Sequence, residues 1–466
     1  MIGPAELTDA AMAASKADGC VVLLTDTSEA NLRWANSTMT TNGHSTTRSF
    51  AVVSVFDDSV GVVSGNGTDV EEVRAVVAAS EQAARQSGPA QDAGDLAQGG
   101  ADDDFDTPAA ATEIGVFAKL ADELAAAFSG ARGARIAGSA GGELLYGFAE
   151  HRLETTWLAS STGLRRRWVQ PTGTVEVNGK VRDDLARSAW AGAYTADFTD
   201  LDLTAIITEV RRRLGWSQRR VELPAGRYET ILPPSSVADL MINLAESMEG
   251  RPAHEGRSPW SAPPGSSKPT RLGERLTDLP LTLSSDPAAA GLQTAPVLAT
   301  TASSDSVSVF DNGEPVPRVD WLLEGAVNAL VYPRATASEL GAQFTPPPEN
   351  LLLTGGSAAS LEDLVARTER GLLLTCLWYI REVDPTSLLL TGLTRDGVYL
   401  IESGEVVGQV NNFRFNESPI DLLRRTAEVG ATERTLCREW KDWFSRTSMP
   451  PVRVPDFNMS SVSPAS

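Results

Sequence analysis

Histidine, cysteine and paired carboxylates carry most hydrolytic chemistry, and this chain holds few of the first two. It has three histidines, His44, His151 and His254, and three cysteines, Cys20, Cys376 and Cys437, in 466 residues. A zinc site needs three or four nitrogen, sulfur or carboxylate ligands converging at about 2.0–2.3 Å. His254-Glu255 is the one His-Glu pair. Gly256, Arg257, Ser258 and Pro259 follow it, so neither HExxH nor HExxxH occurs. Pro252 and Pro259 argue against a continuous helix there, and His254 reads as a loop histidine. His44, in Asn42-Gly43-His44-Ser45, reads as a loop residue too. His151, between two strand candidates, reads as a solvent-facing turn residue, with a general base as the alternative. Cys376 sits in the apolar run 372–378 and reads as core. Cys437 has Arg438 beside it, which would favour a nucleophilic thiolate; a half-buried structural thiol is the plainer reading. Asp102, Asp103, Asp104 and Asp106 lack the twelve-residue calcium pattern. No Gly-x-Ser-x-Gly elbow, GxGxxG or phosphate-binding loop is present.

The elements that would position any chemistry follow from pattern. Residues 5–17, 68–87, 114–128 and 201–214 have helical periodicity, with Asp69 as a cap for the second. Strand candidates fall at 20–26, 30–39, 48–57, 134–139, 143–150, 153–160 and 164–177. The order helix, strands, helix thus occurs twice. Residues 88–111 are rich in Gly, Ala, Pro and Asp and read as an acidic loop with too little apolar content to pack. The central stretch is 235–250. Val237, Leu240, Met241 and Leu244 recur at helical spacing, Ser235 or Ser236 can cap the start, and Gly250 with Pro252 marks the stop. Beyond it the chain turns to short strands, including 307–310, the pairs 321–327 and 329–332, and the hairpins 372–411. The turns Asp311-Asn312-Gly313-Glu314 and Ser403-Gly404 and a capping box at Ser360 and Asp363 punctuate them. Helix 420–429 and strand 451–459 follow. Trp440, Trp443 and Phe444, at i, i+3 and i+4, suggest a helical core face or a subunit-interface stripe. The expectation is an α+β protein of two domains. Residues 1–215 form an N-terminal helix–sheet domain, and 216–466 a mainly antiparallel β domain with a few helices.

Composition narrows the function classes. The net charge, 40 − 61 = −21, argues against nucleic acid and anionic membrane surfaces. Three scattered cysteines are no disulfide framework. No run reaches the ~18 apolar residues of a membrane span, and the first residues do not read as a signal peptide. A cytoplasmic location is expected.

Several stretches in order resemble the TldD/PmbA (TldE) family, the paired subunits of a peptidase complex. They are the opening around 11–26, the helix at 70–84, Leu223-Pro224-Ala225-Gly226-Arg227-Tyr228 leading to Pro233-Pro234-Ser235, Gly256-Arg257-Ser258-Pro259, Trp378-Tyr379-Ile380-Arg381-Glu382, Tyr399-Leu400-Ile401-Glu402-Ser403-Gly404 and Asn411-Asn412-Phe413-Arg414-Phe415. The resemblance covers nearly the whole chain. It implies that a TldD-type subunit carries a His-Glu-x-x-x-His zinc helix and that a TldE/PmbA-type subunit shares the fold without it. Aligned on Glu249-Gly250, Met241 and Glu246 fall at the ligand positions and Ile242 at the catalytic glutamate. The chain is therefore expected to be a non-catalytic TldE/PmbA-type subunit with no catalytic or metal residues and no cofactor of its own. Its expected partner is a TldD-type zinc-bearing subunit in a heterodimer, and its substrate small or unfolded peptides. Asn243 and Glu246 are candidate linings of a shared peptide chamber. A stand-alone peptide-binding or scaffold protein is the alternative.

Overall fold

The computed structural model describes residues 2–67, 69–133, 139 and 142–463. The expected strand at 134–139 lies, but for Ser139, outside them. Six long strands, β1 (Gly19–Ala35), β2 (Thr38–Phe56), β3 (Ser59–Gly65), β4 (Glu143–Ser160), β5 (Arg165–Val181) and β6 (Asp184–Thr195), form an antiparallel sheet in the order β3-β2-β1-β4-β5-β6. These strands run through polar positions where the sequence suggested breaks, because cross-strand partners satisfy them. Asp26 lies opposite Arg48, which donates from Nε at 2.5 Å. The strand β6 is unexpected; its Ala-Trp-Ala-Gly-Ala core has no β-branched run to signal it.

The helices α1 (Pro4–Ala14), α2 (Val70–Gln86), α3 (Ala118–Gly133) and α4 (Leu203–Trp216) cover one sheet face. Asp69 caps α2 by accepting from Glu72 N. On the first half Val22, Leu24 and Val52 pack on Leu7, Ala11 and Val77. On the second, Leu145 and Val177 pack on Leu124, Ile207 and Val210. The two helix–strands–helix units meet along β1 and β4. The opposite face, with Val21, Leu23, Val53 and Leu158, is covered by Leu96 and Ala97 and by Val309 and Phe310 of the second half of the chain. The acidic loop therefore does pack. Leu96, Ala97 and Phe105 are buried, and Asp102 and Asp104 pair with Arg166 and Arg167 at 3.2 and 2.9 Å.

The rest of the chain builds two further sheets. One has the order Ala326–Val327, Val319–Leu323, Thr282–Ser285, Leu351–Thr354, Thr447–Met449, Glu433–Thr435. The other is larger. It begins at the edge strand Leu377–Asp384 and passes through Leu389–Thr394, Phe413–Glu417, Val452–Val462, Gly226–Leu232, Arg370–Leu374, Val398–Glu402 and Glu405–Val410 to Arg220–Val221. The capping box forms, with Ser360 and Asp363 each satisfying the other's backbone N–H at the start of Leu361–Ala366.

Four local expectations fail. Residues 307–310 are not a strand, because the Ser308 side chain accepts from Phe310 N and opens a 3₁₀ turn, Val309–Asp311. The stretch 329–332 makes only single bridges, to Glu249 and Thr345. The helix near 420 ends early, at Arg425. Trp440, Trp443 and Phe444 lie on a turn closed by Phe444 N donating to Trp440 O at 2.9 Å, not on a helix. Among the described residues no helix is long and apolar enough to cross a membrane, which says nothing of a β-barrel.

Candidate functional site

Strand Gly226–Leu232 delivers the chain through Pro233 into α5, Pro234–Glu246. A proline at the first helical position loses no needed N–H. Ser236 does not cap the helix; its Oγ donates to Leu374 O at 2.9 Å and ties α5 to the large sheet. The helix is apolar over most of its circumference, with Asp239, Asn243 and Glu246 following one another along the remaining face. Val237, Ala238, Leu240, Met241, Ile242 and Leu244 are all buried, as befits a helix at the centre of a core. It stops at Glu246, one turn before the expected end, and Gly250 instead opens α6, Gly250–His254. The reason is a close approach. Gly250 N donates to Val331 O at 2.9 Å, and a Cβ on Gly250 would stand 2.0 Å from the Tyr332 ring. Pro252 falls in the first turn of α6, where a proline is tolerated.

The three positions aligned with a metal site do not form one. Met241 and Glu246 keep the five-residue spacing of the two motif histidines, so it is residue type and burial, not spacing, that fail to make a ligand set. Met241 and Ile242 have no exposed surface, while Glu246 is exposed. A buried thioether and a hydrocarbon side chain do not fit zinc, which takes imidazole, thiolate or carboxylate. Among the described residues no group of three or more His, Cys, Asp or Glu is arranged to hold a metal ion. Asn243 and Glu246, three apart, share a helix face. The Asn243 amide donates to Asp239 O at 2.8 Å within the helix. Although Glu246 keeps exposed surface, partial desolvation by neighbouring protein and the like charge of Glu249 push its pKa up to about 7.

Sequence reading missed the most distinctive group on α5. Asp239 is wholly buried. Its Oδ1 accepts from Glu439 N at 2.8 Å, its backbone carbonyl accepts from Trp440 Nε1 at 3.0 Å, and its Oδ2 has no partner. Burial holds this carboxyl well above the usual range. Glu439 in turn accepts from Tyr379 N and Ile380 N, both at 3.0 Å, on the edge strand Leu377–Asp384. The signal available was a carboxylate inside an otherwise apolar helix.

The remaining candidates are structural. Cys437 is fully buried, not half-buried; its Sγ donates to Phe444 O at 2.9 Å, and burial with nearby Asp239 raises its pKa well above the ordinary thiol value, so no thiolate nucleophile forms. Burial pushes Cys376 up to about 12. His151 is not on an exposed turn. It is 4% exposed in the middle of β4, its Nδ1 accepts from Thr112 Oγ1 at 2.6 Å, and its Nε2 donates to Ala196 O at 2.9 Å. Burial lowers its pKa. His254 ends α6 with Nε2 3.2 Å from the Tyr332 hydroxyl, and His44 lies exposed on β2. A cleft of about 590 Å³ adjoins the start of α5 at Pro233 and Ser235. Two ion pairs cross it, Arg434 with Asp200 at 2.5 Å and Arg212 with Glu362 at 2.7 Å.

Comparison with known proteins follows the whole length. Residues 20–84 match PmbA/TldA metallopeptidase domain 1, residues 103–218 the central domain, and residues 225–461 the C-terminal domain. Among curated proteins no sequence matches the chain. The fold is similar to that of TldE from Thermococcus kodakarensis, with TM-score 0.78 and 15% identity over 97% of this chain and 98% of that one. It is also similar to a proposed modulator of a DNA gyrase from Thermotoga maritima, with TM-score 0.76 and 16% identity over 97% and 99% of the two chains. A counterpart from Bacteroides thetaiotaomicron gives 0.74 and 16% over 98% of each.

Proposed function

The chain belongs to the PmbA/TldA metallopeptidase family, and from that premise we propose that it is a TldE/PmbA-type, non-catalytic subunit of a zinc peptidase complex. The observation that carries this reading is α5. At the positions where a sister subunit is expected to hold its metal, this helix buries Met241 and Ile242 in hydrocarbon packing and leaves a lone exposed carboxylate, Glu246. Burying each of those two apolar side chains stabilises the fold by roughly 1.5–3 kcal/mol, so the helix has a structural task that a polar metal cradle would oppose.

On this reading the partner supplies zinc, a glutamate base and the polarised water. This chain closes the chamber, with Asn243 and Glu246 facing extended small or unfolded peptides. A cytoplasmic location fits the negative charge and the scattered thiols. Co-expression with a His-Glu-x-x-x-His subunit tests the proposal. The expected outcome is co-purification, peptide cleavage by the pair, and neither stoichiometric zinc nor cleavage by this chain alone. One zinc per chain in the isolated protein would refute it. Failure to co-purify would leave a stand-alone peptide-binding or scaffold role.

A further inference from the structure

The first sheet's helix-free face changes character along β1. Val21 and Leu23 are sealed under Val309 and Phe310. Beyond Leu23 the face becomes polar and opens into a cleft of about 730 Å³ between this sheet and the second half of the chain. Its floor is a row of side chains directly opposite one another across four strands: Ser49, Thr25, Thr156 and Trp168. Thr25 and Thr156 are joined through their hydroxyls at 3.0 Å. The roof includes Glu349, Phe444 and Trp443, a residue that is 54% exposed. Trp443 lies edge-on to Trp440 at 5.6 Å, and Trp440 donates to Asp239 of α5. The cleft is thus linked to the central helix through Trp443 and Trp440.

Two carboxylates enter it, Glu154 from the floor and Glu349 from the roof. Neither has an ion-pair partner among the described residues. Arg152 is engaged by Glu150 at 2.7 Å and Glu29 at 3.9 Å. Glu349 accepts only from Ala295 N, at 3.3 Å. Glu349 keeps exposed surface, while the protein packed around its carboxyl pushes its pKa up; the Ala295 N–H and Arg446 oppose that and Glu154 adds to it. Arg446 lines the same cleft, is 7% exposed, and has an Nε–H without a partner. Unpaired acid groups beside aromatic faces suit a cation, and an unpaired guanidinium N–H beside them suits a carbonyl.

We propose that this cleft binds the amino-terminal residue of a short peptide. Glu154 and Glu349 take the ammonium, the Arg446 Nε–H, buried and unpartnered in this structure, turns outward to take the first carbonyl, and Trp168 and Trp443 flank the first side chain. This deepens the reading that the chain handles peptides. It is tested on the full chain alone, so it stands or falls whether or not a zinc-bearing subunit co-purifies.

Calorimetry with Phe-Ala-Ala amide, its N-acetylated form and N-acetyl-Lys-Ala-Ala amide separates the possibilities. The free-amine peptide is expected to bind at least about tenfold more tightly than its acetylated form. The isosteric pair Glu154→Gln and Glu349→Gln should abolish that difference while leaving the thermal melt unchanged, and Trp443→Ala should weaken both peptides. Equal affinity for free and acetylated peptide, or no saturable binding at millimolar concentration, would overturn the proposal. Equally tight binding of the acetylated lysine peptide would overturn the assignment to a terminus and give the cleft to a side-chain ammonium.

Discussion

Asp239→Asn isolates the buried acid of α5. In the fold this carboxyl has no exposed surface, one hydrogen bond from Glu439 N, and an oxygen with no partner. Burial raises its pKa well above the ordinary carboxylate value of about 3.9. The folded state therefore keeps a proton that the unfolded chain releases above about pH 4. Stability should fall as pH rises through that window, by about 1.4 kcal/mol per pH unit, and level off above the folded pKa. Asparagine keeps the acceptor for Glu439 N and cannot ionise. Both the acid hydroxyl and the amide leave a polar group unpaired, so the two proteins should differ by less than about 1 kcal/mol near pH 4. As pH rises, the variant should become progressively the more stable. Urea unfolding at a series of pH values, variant minus wild type, gives this slope free of other titrating groups. Parallel curves between pH 5 and 8 would refute the reasoning. So would a loss above about 3 kcal/mol in the variant at pH 7, the signature of an ionised, hydrogen-bonded carboxylate.

Gly250→Ala should cost about 1–3 kcal/mol by overpacking against the Tyr332 ring, and combining it with Tyr332→Ala should recover part of that in thermal melts; strict additivity would contradict the contact. His151, its pKa lowered by burial, should let stability drop as pH falls below its unfolded value of about 6.5, and His151→Gln should lack that acid-side slope. Glu246 should titrate with a midpoint near 7 in a side-chain carbon NMR titration, moving down in Glu249→Gln because the like charge is gone; a midpoint at the ordinary glutamate value would dismiss the crowding described for it. Cys437 should resist thiol reagents in the native protein, and rapid labelling would show that its burial is not maintained.

Local pattern carried much of the architecture. The α2 cap at Asp69, the capping box at Ser360 and the Ser403-Gly404 turn are short-range devices, and each formed where the sequence placed it. Central helix placement also followed from the spacing of Val237, Leu240, Met241 and Leu244. What pattern could not reach were bonds between distant segments. Asp239 and Glu439 are joined across 200 positions, and nothing near either residue names the other. His151 looked like a turn residue because Thr112 and Ala196, which satisfy its ring, are remote in sequence. The Trp440, Trp443 and Phe444 spacing misled in the opposite way. One closed turn brings i, i+3 and i+4 together as well as a helix does.

The seam between β1 and β4 has a consequence for the order of synthesis. The first strand ends at Ala35 and its partner begins at Glu143, 143 − 35 = 108 positions later. At ribosomal rates of about 5–20 residues per second, β1 waits roughly 5–20 s with one side of its backbone unpaired. The waiting edge carries Val21, Val22, Leu23 and Leu24, a run suited to pairing with another nascent chain. Asp26, Glu29 and Arg33 are the charges that β1 itself contributes along that edge. The first half of this protein is thus vulnerable during translation, until β4 arrives to close it.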